Sequence, residues 1–216
     1  MNEMLIQKSM TLSSFRAGAS SPVPDFFELK TEIIRKSIHF LIALSPSMAA
    51  VNRPLTIFIL AAGVLGYTLM ETLRLSGIRV PVISSLTRMA SRSRDLGHFV
   101  MGPVTLGLGA LLALLLYPAP AASIAIYALA FGDGFAGLAG KFLGRLRPAF
   151  LCGKSVEGSL ACFTAVYIAA YGVSGDFHLA LAAALTAMAV EALPLEDYDN
   201  LALPFTVGLV VQLMSR

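Results

Sequence analysis

Asp133 is the residue of this 216-residue chain that is hardest to explain as filler. It stands in Ala130-Phe131-Gly132-Asp133-Gly134-Phe135-Ala136-Gly137, inside an apolar stretch that ends at the basic residue Lys141. A charged side chain near the centre of an apolar helix costs about 2.5–3.5 kcal/mol on insertion scales, so such an acid is a candidate for metal, phosphate or proton chemistry. In an unbroken helix it would lie about 12 Å from the basic end. The flanking glycines imply irregular or closely approached backbone, tolerated only against a cavity or packed protein. Glycines 132, 134, 137, 140 and 144 also suit close helix packing of the small-xxx-small kind. The competing reading is a structural carboxylate paired with an Arg of a neighbouring helix.

Three further clusters could act with it. Gly153-Lys154-Ser155-Val156-Glu157-Gly158-Ser159 opens an apolar run with a cation, a hydroxyl and an acid. A helix N-terminus favours anions, so Lys154 and Ser155 are placed to hold a phosphate, and Glu157 to hold a metal or cap the helix. A plain capping box uses the same residue types. Glu191, Glu196, Asp197, Asp199 and Asn200 punctuate two later apolar runs. Carboxylates converging there suit Mg²⁺, which takes one or two carboxylates plus substrate phosphates; a solvated loop is the bland alternative. Finally, Glu32, Arg35, Lys36 and His39 recur at helical spacing and share one face. Interfacial snorkelling accounts for Arg35 and Lys36, but less well for His39, which points further in.

Two familiar nucleotide patterns are discounted. Gly132-x-Gly134-x-x-Gly137 matches a dinucleotide fingerprint, but no strand precedes it. Cys152-Gly153-Lys154-Ser155 ends like a P-loop, yet Pro148 stands where its first Gly belongs. Cys152 and Cys162 cannot make a disulfide framework and read as structural residues.

The composition says what kind of scaffold must hold these groups. Apolar residues make up 56% of the chain and charged residues 13%, against about 25% in a soluble domain; mean hydropathy is +0.76. An ordinary soluble globule, a disordered chain and a disulfide scaffold are excluded. The expectation is an all-α, polytopic transmembrane helix bundle. Seven segments approach the roughly 20 apolar residues a span needs: 33–51, 54–71, 97–117, 120–141, 158–175, 177–194 and 201–215. Six spans is the alternative. Residues 1–27 read as a tail or interfacial segment, and 28–216 as the transmembrane domain. No charged n-region with a cleavage site opens the chain, so no removable signal peptide is expected.

With the N-terminus in the cytosol, fourteen of the sixteen Lys and Arg fall inside, and only Arg53 and Arg216 fall outside. That distribution explains the net charge of +3 without nucleic acid. The connection 78–94, with Arg79, Arg88, Arg92 and Arg94 at its end, is read as interfacial or as a solvated loop. Nearly all the acids lie on the same, cytosolic side; Asp176 alone marks an outer turn.

Four separated motifs agree on one resemblance: Glu32-x-x-Arg35-Lys36-x-x-His39, Gly132-Asp133-Gly134-x-Ala136-x-x-x-Gly140, Lys154-Ser155-x-Glu157-Gly158-Ser159 and Asp199-Asn200-x-x-x-Pro204. In order and spacing they resemble the polyprenol kinase family, which includes dolichol, phytol and farnesol kinases and the CTP-dependent diacylglycerol kinase of fungi. Glu71-x-x-Arg74 is a further shared feature. The resemblance implies a membrane enzyme that phosphorylates the hydroxyl of a lipid alcohol, using CTP or another NTP and Mg²⁺ or another divalent cation. It implies catalytic roles for Asp133, Lys36, Arg35, His39 and Lys154, and nucleotide contacts at Gly132, Gly134, Gly140, Ser155 and Asn200. Metal ligation would fall to Asp133 with Glu157 or Asp199. The expected setting is the cytoplasmic membrane or an endomembrane, with the active face cytosolic; the partners are the bilayer, the lipid and the nucleotide, and a homodimer is compatible.

Two other functions are weighed. A cytidylyltransferase that makes a CDP-lipid would need the same metal and the same face, but the known CDP-diacylglycerol synthases end in a signature rich in His, Gly, Asp and Arg. The segment Glu196 to Pro204 holds neither His nor Arg. A transporter would show inverted repeats; none is evident, and the polar groups crowd one face.

Overall fold

The computed structural model describes residues 26–78 and 97–215. The tail with Lys8 and Arg16, the arginines Arg79, Arg88, Arg92 and Arg94, and Asp95 and Arg216 lie outside the described residues. Among the described residues the chain is all helix, without a strand. The helices are α1 (Phe26–Ile42), α2 (Ser45–Leu75), α3 (Gly102–Leu116), α4 (Ala121–Tyr127), α5 (Asp133–Phe142), α6 (Val156–Ser174), α7 (Phe177–Glu191) and α8 (Asp199–Met214). A π-helical turn, Ala128–Gly132, joins α4 to α5, so Ala121–Phe142 runs as one central helix and the described helices number seven.

The expected boundary between the first two segments, at residues 52–53, falls on a kink inside α2, and the break between the two helices comes about two and a half turns earlier. Pro54 was read as the start of the second segment; instead α2 runs through it with a kink. Asn52 takes extended angles (φ −151°, ψ 93°), and its Oδ1 accepts the N–H of Leu55 at 3.0 Å, so the helix restarts as if capped. The true break is at Ala43–Leu44, where Ser45-Pro46 opens the new helix with a proline in its first turn, where no N–H is needed. At the other end, α1 begins at Phe26, just inside the segment read as tail. Elsewhere, local chemistry sets the ends. Asp176 caps α7 by accepting the N–H groups of His178 (2.8 Å) and Leu179 (3.1 Å). Gly175, at φ 67°, closes α6 in the left-handed conformation that favours glycine.

The central helix packs against every other helix. Ile124, Ala125, Ile126, Leu129 and Ala130 on it are essentially inaccessible. Small residues on α7 (Ala180, Ala183, Ala184, Ala187) let their neighbours come close. Three helices are long and apolar enough to cross a membrane: Ser45–Leu75, Ala121–Phe142 and Val156–Ser174; Gly102–Leu116 and Phe177–Glu191 are shorter apolar helices. Their burial differs sharply. In the central helix 67% of the apolar window is enclosed, in α2 only 6%, and α2 turns Val51, Leu55, Phe58, Leu65 and Leu69 outward.

α2 is held instead at its two ends. Arg53 donates to the carbonyls of Leu114 and Tyr117 (3.0 Å to the latter) where α3 ends. At the opposite end, the wholly buried Glu71 carboxylate takes two bonds from Arg74 (2.7 and 2.8 Å) and the N–H of Val100 (3.1 Å). Close packing holds α3 to α8. Pro204 cannot donate to the Asn200 carbonyl one turn back, and Gly109 of α3 packs directly on that oxygen.

A methyl group at Gly109 would drive into the Asn200 backbone, whereas one at Gly66 meets nothing within 4 Å. Gly109→Ala is therefore expected to cost about 1–3 kcal/mol. Gly66→Ala should be neutral or gain up to about 1 kcal/mol from helix propensity. Thermal unfolding of both variants in mild detergent checks the contrast.

Candidate active site

The π-helical turn ends at Gly132, immediately before Asp133. A π turn adds a residue to the helical register and so re-aims the side chains that follow it. Asp133 faces α1, which presents Lys36 and His39 toward it. Lys36 Nζ donates to Asp133 Oδ2 at 2.6 Å, and His39 Nδ1 lies 2.9 Å from the same oxygen. These are buried charges: the Lys36 side chain is 3% exposed and that of Asp133 13%. Glycines make the approach possible. A methyl at Gly137 would strike the Lys36 stem, and one at Gly134 would stand 2.6 Å from the Phe40 ring. Beside Lys36, Arg35 donates to Glu32 Oε1 at 2.6 Å.

A second set of groups comes from the segment between α5 and α6. Ser155 caps α6, its Oγ accepting the N–H of Gly158 at 3.1 Å. No capping box forms, because the third helical position is Gly158 itself. Glu157 turns away and accepts the N–H groups of Arg145 (2.9 Å) and Leu146 (3.1 Å). Arg147 reaches across, donating to Gly153 O at 2.5 Å and to Gly140 O at 2.6 Å. Lys154 donates to the backbone carbonyl of Glu191 and stands 3.2 Å from Glu191 Oε1, while Ser159 Oγ donates to Glu191 Oε2 at 3.2 Å.

The two sets meet on a cavity of about 190 Å³. Its charged lining consists of Arg35, Lys36, Arg147 and Lys154 against Asp133, Glu191 and Asp199. Gly137, Gly140, Ser155 and Gly158 complete the wall with small side chains and backbone. Of the residues singled out from sequence, Arg35, Lys36, Asp133, Gly140, Lys154, Ser155 and Asp199 line this space, and His39 touches Asp133 just beside it. Four others do not line it. Gly132 packs on Val166 and Cys162, and Gly134 on Phe40, so both serve helix contact. Asn200 is buried, donating to Thr105 Oγ1 at 3.0 Å. Glu157 is committed to the backbone of the loop. Cys162 is buried in the apolar core, and Cys152 is exposed.

Glu191, named in sequence with the acidic loop that follows it, ends the apolar run of α7 and is buried, so the cost argument that selects Asp133 applies to it as well. Arg147 is the charged cavity residue that sequence did not single out. It carries no sequence signal beyond a basic loop.

The donor set fits phosphate chemistry. Four cations can neutralise a polyphosphate; the wall glycines 137, 140 and 158 let Lys36 and the helices α5 and α6 pack closely around that space. Among the described residues no three His, Cys, Asp or Glu side chains gather closely enough to form a metal site alone. Mg²⁺ asks for less, taking one or two carboxylates and completing its shell from water and substrate phosphates; Asp133 and Asp199 on one cavity meet that need. No family model, no curated protein and no solved structure matches the chain.

The Lys36–Asp133 pair bridges α1 to the central helix with little exposure to solvent, so removing one partner strands the other. Lys36→Met and Asp133→Leu are each expected to destabilise, and the double variant to lose less than their sum, with a coupling of about 1–3 kcal/mol. Unfolding of all four proteins in detergent closes that cycle.

Proposed function

We propose that this protein is a membrane-embedded kinase that transfers the terminal phosphoryl group of CTP, or another nucleoside triphosphate, to the hydroxyl of a lipid alcohol. The acceptor class is diacylglycerol, phytol or a polyprenol. The observation that carries the reading is the cavity itself: cations from α1 and from the α6 entry line one space with Asp133, in a bundle whose outer helices expose apolar side chains. In this reading the seven helices cross the bilayer, the N-terminus is cytosolic, and the cavity opens to the cytosol, where nucleotides are. A phosphate-binding pocket within an apolar bundle suits a reaction with one water-soluble substrate and one lipid.

Phosphoryl transfer asks the protein mainly for in-line positioning and neutralisation of charge. Lys154, Arg35 and Lys36 bind the transferring phosphoryl and the departing diphosphate. Ser155, Gly140 and Gly158 border the same space. The lipid hydroxyl enters sideways between helices, with its tail left in the bilayer, and is oriented at Asp133. The acceptor oxygen bonds to the terminal phosphorus as the bond to the bridging oxygen breaks; the nucleoside diphosphate leaves, and the hydroxyl proton is taken up within the Asp133–His39 pair. Mg²⁺, held by Asp133 and Asp199, would supply Lewis-acid neutralisation of the donor's phosphates.

The test uses purified protein in liposomes with Mg²⁺ and γ-labelled CTP or ATP. The acceptors are diacylglycerol, phytol, farnesol, geranylgeraniol and a long polyprenol. Label is expected in an organic-phase monophosphate, falling about a hundredfold or more in a folded Asp133→Asn variant. Retained transfer in that variant removes Asp133 from the chemistry. Transfer of α-label from CTP to a phospholipid acceptor, with no movement of γ-label, replaces the kinase with a cytidylyltransferase.

A further inference from the structure

We infer that Arg147 is a donor-binding residue that grips the nucleotide's polyphosphate at the mouth of the cavity, and that Glu157 is the residue that positions it. The inference deepens the kinase reading and rests on its nucleotide donor. Arg147 is exposed, yet its guanidinium turns back to the cavity, with one nitrogen on Gly153 O and another on Gly140 O. It therefore spans the entrance between the end of α5 and the approach to α6. Both bonds go to neutral carbonyl oxygens, and a guanidinium carries five N–H donors in a planar fork suited to phosphate. A polyphosphate can take the remaining donors, or displace a carbonyl, for a charge-assisted bond of greater strength.

The loop that presents Arg147 is built. Glu157 accepts the N–H groups of Arg145 and Leu146, the two residues before it, and Val156 N–H bonds back to Leu146 O at 2.9 Å. Cys152 (φ 49°) and Gly153 (φ 91°) then turn the chain through left-handed conformations into Lys154. Glu157 stands outside the cavity but close enough to feel the Arg147 charge. Its carboxylate thus fixes the loop backbone immediately before Arg147. Along the cavity the cations descend from exposed Arg147 to buried Lys36. A space of about 190 Å³ suits the phosphates and leaves the nucleoside outside, so Arg147 grips the proximal phosphates while Lys36 and Asp133 face the terminal one.

Equilibrium binding of radiolabelled CTP and ATP to the full chain in detergent, with tripolyphosphate as competitor, tests this. Arg147→Ala should weaken both nucleotides and tripolyphosphate by about ten- to a hundredfold. In turnover it should raise KM for the donor, leaving KM for the lipid and kcat little changed. Arg147→Lys, which keeps the charge without the fork, should fall between and carries the test if the alanine variant misfolds. Glu157→Ala should weaken donor binding, and Glu157→Gln, which keeps an oxygen for the loop N–H groups, should restore most of it. Equal binding by Arg147→Ala and wild type overturns the inference. So does a Glu157→Gln variant as weak as Glu157→Ala but rescued by excess divalent cation, because Glu157 would then be a metal ligand. A folded wild type that binds neither nucleotide nor tripolyphosphate overturns the kinase reading beneath it.

Discussion

Lys36 and Asp133 meet at 2.6 Å with almost no solvent around them, and much of the bundle is arranged so that they can. Neither charge is tolerable alone in an apolar interior, where a stranded ion costs several kcal/mol. The pair fixes the depth and rotation of α1 against the central helix, which is the main neighbour of α1. The rest of that seam follows from it: Gly137 under the lysine stem, Gly134 under Phe40, and a π turn that sets the bearing of Asp133. Once α1 is seated, Arg35 and Lys36 fall on the cavity together.

Apart from the Lys36–Asp133 pair, further polar contacts tie the helices together. At one end, Arg53 and Tyr117 tie α2, α3 and α8 through backbone carbonyls, with Tyr117 Oη donating to Phe205 O at 2.7 Å. At the other end, Glu71 and Arg74 fasten the end of α2 to the entry of α3, and Asn200 fastens α8 to Thr105. These locks surround the cavity without entering it.

Much of this was legible in the sequence, and the rest fails for reasons of register and reach. The seven apolar segments correspond to the seven described helices, because apolar length survives any error in boundary. The first boundary shifted because proline marks both helix starts and helix kinks, and Asn52 supplied the cap that made Pro54 a kink. In the site, Arg35, Lys36, Asp133 and Lys154 were legible because a charge in apolar surroundings is costly wherever the chain folds. Glu157, read in sequence as a metal ligand or a helix cap, turns back to its own loop, because spacing cannot say which way an acid at a helix start points. Gly132 and Gly134 resemble a phosphate cradle in sequence, but a glycine that admits a neighbouring helix is written the same way as one that admits a ligand.

The central helix draws its cover from helices that come before it in the chain and from others that come after. α8, the last described helix, packs along α4 and brings Asn200 onto Thr105 and Asp199 onto the cavity. During synthesis, then, the most enclosed segment cannot be the first to settle; it waits for α6, α7 and α8, while α2, with almost none of its apolar surface used, has little to wait for. The cavity, lined by residues from α1 to α8, is complete only once Asp199 of α8 has been made.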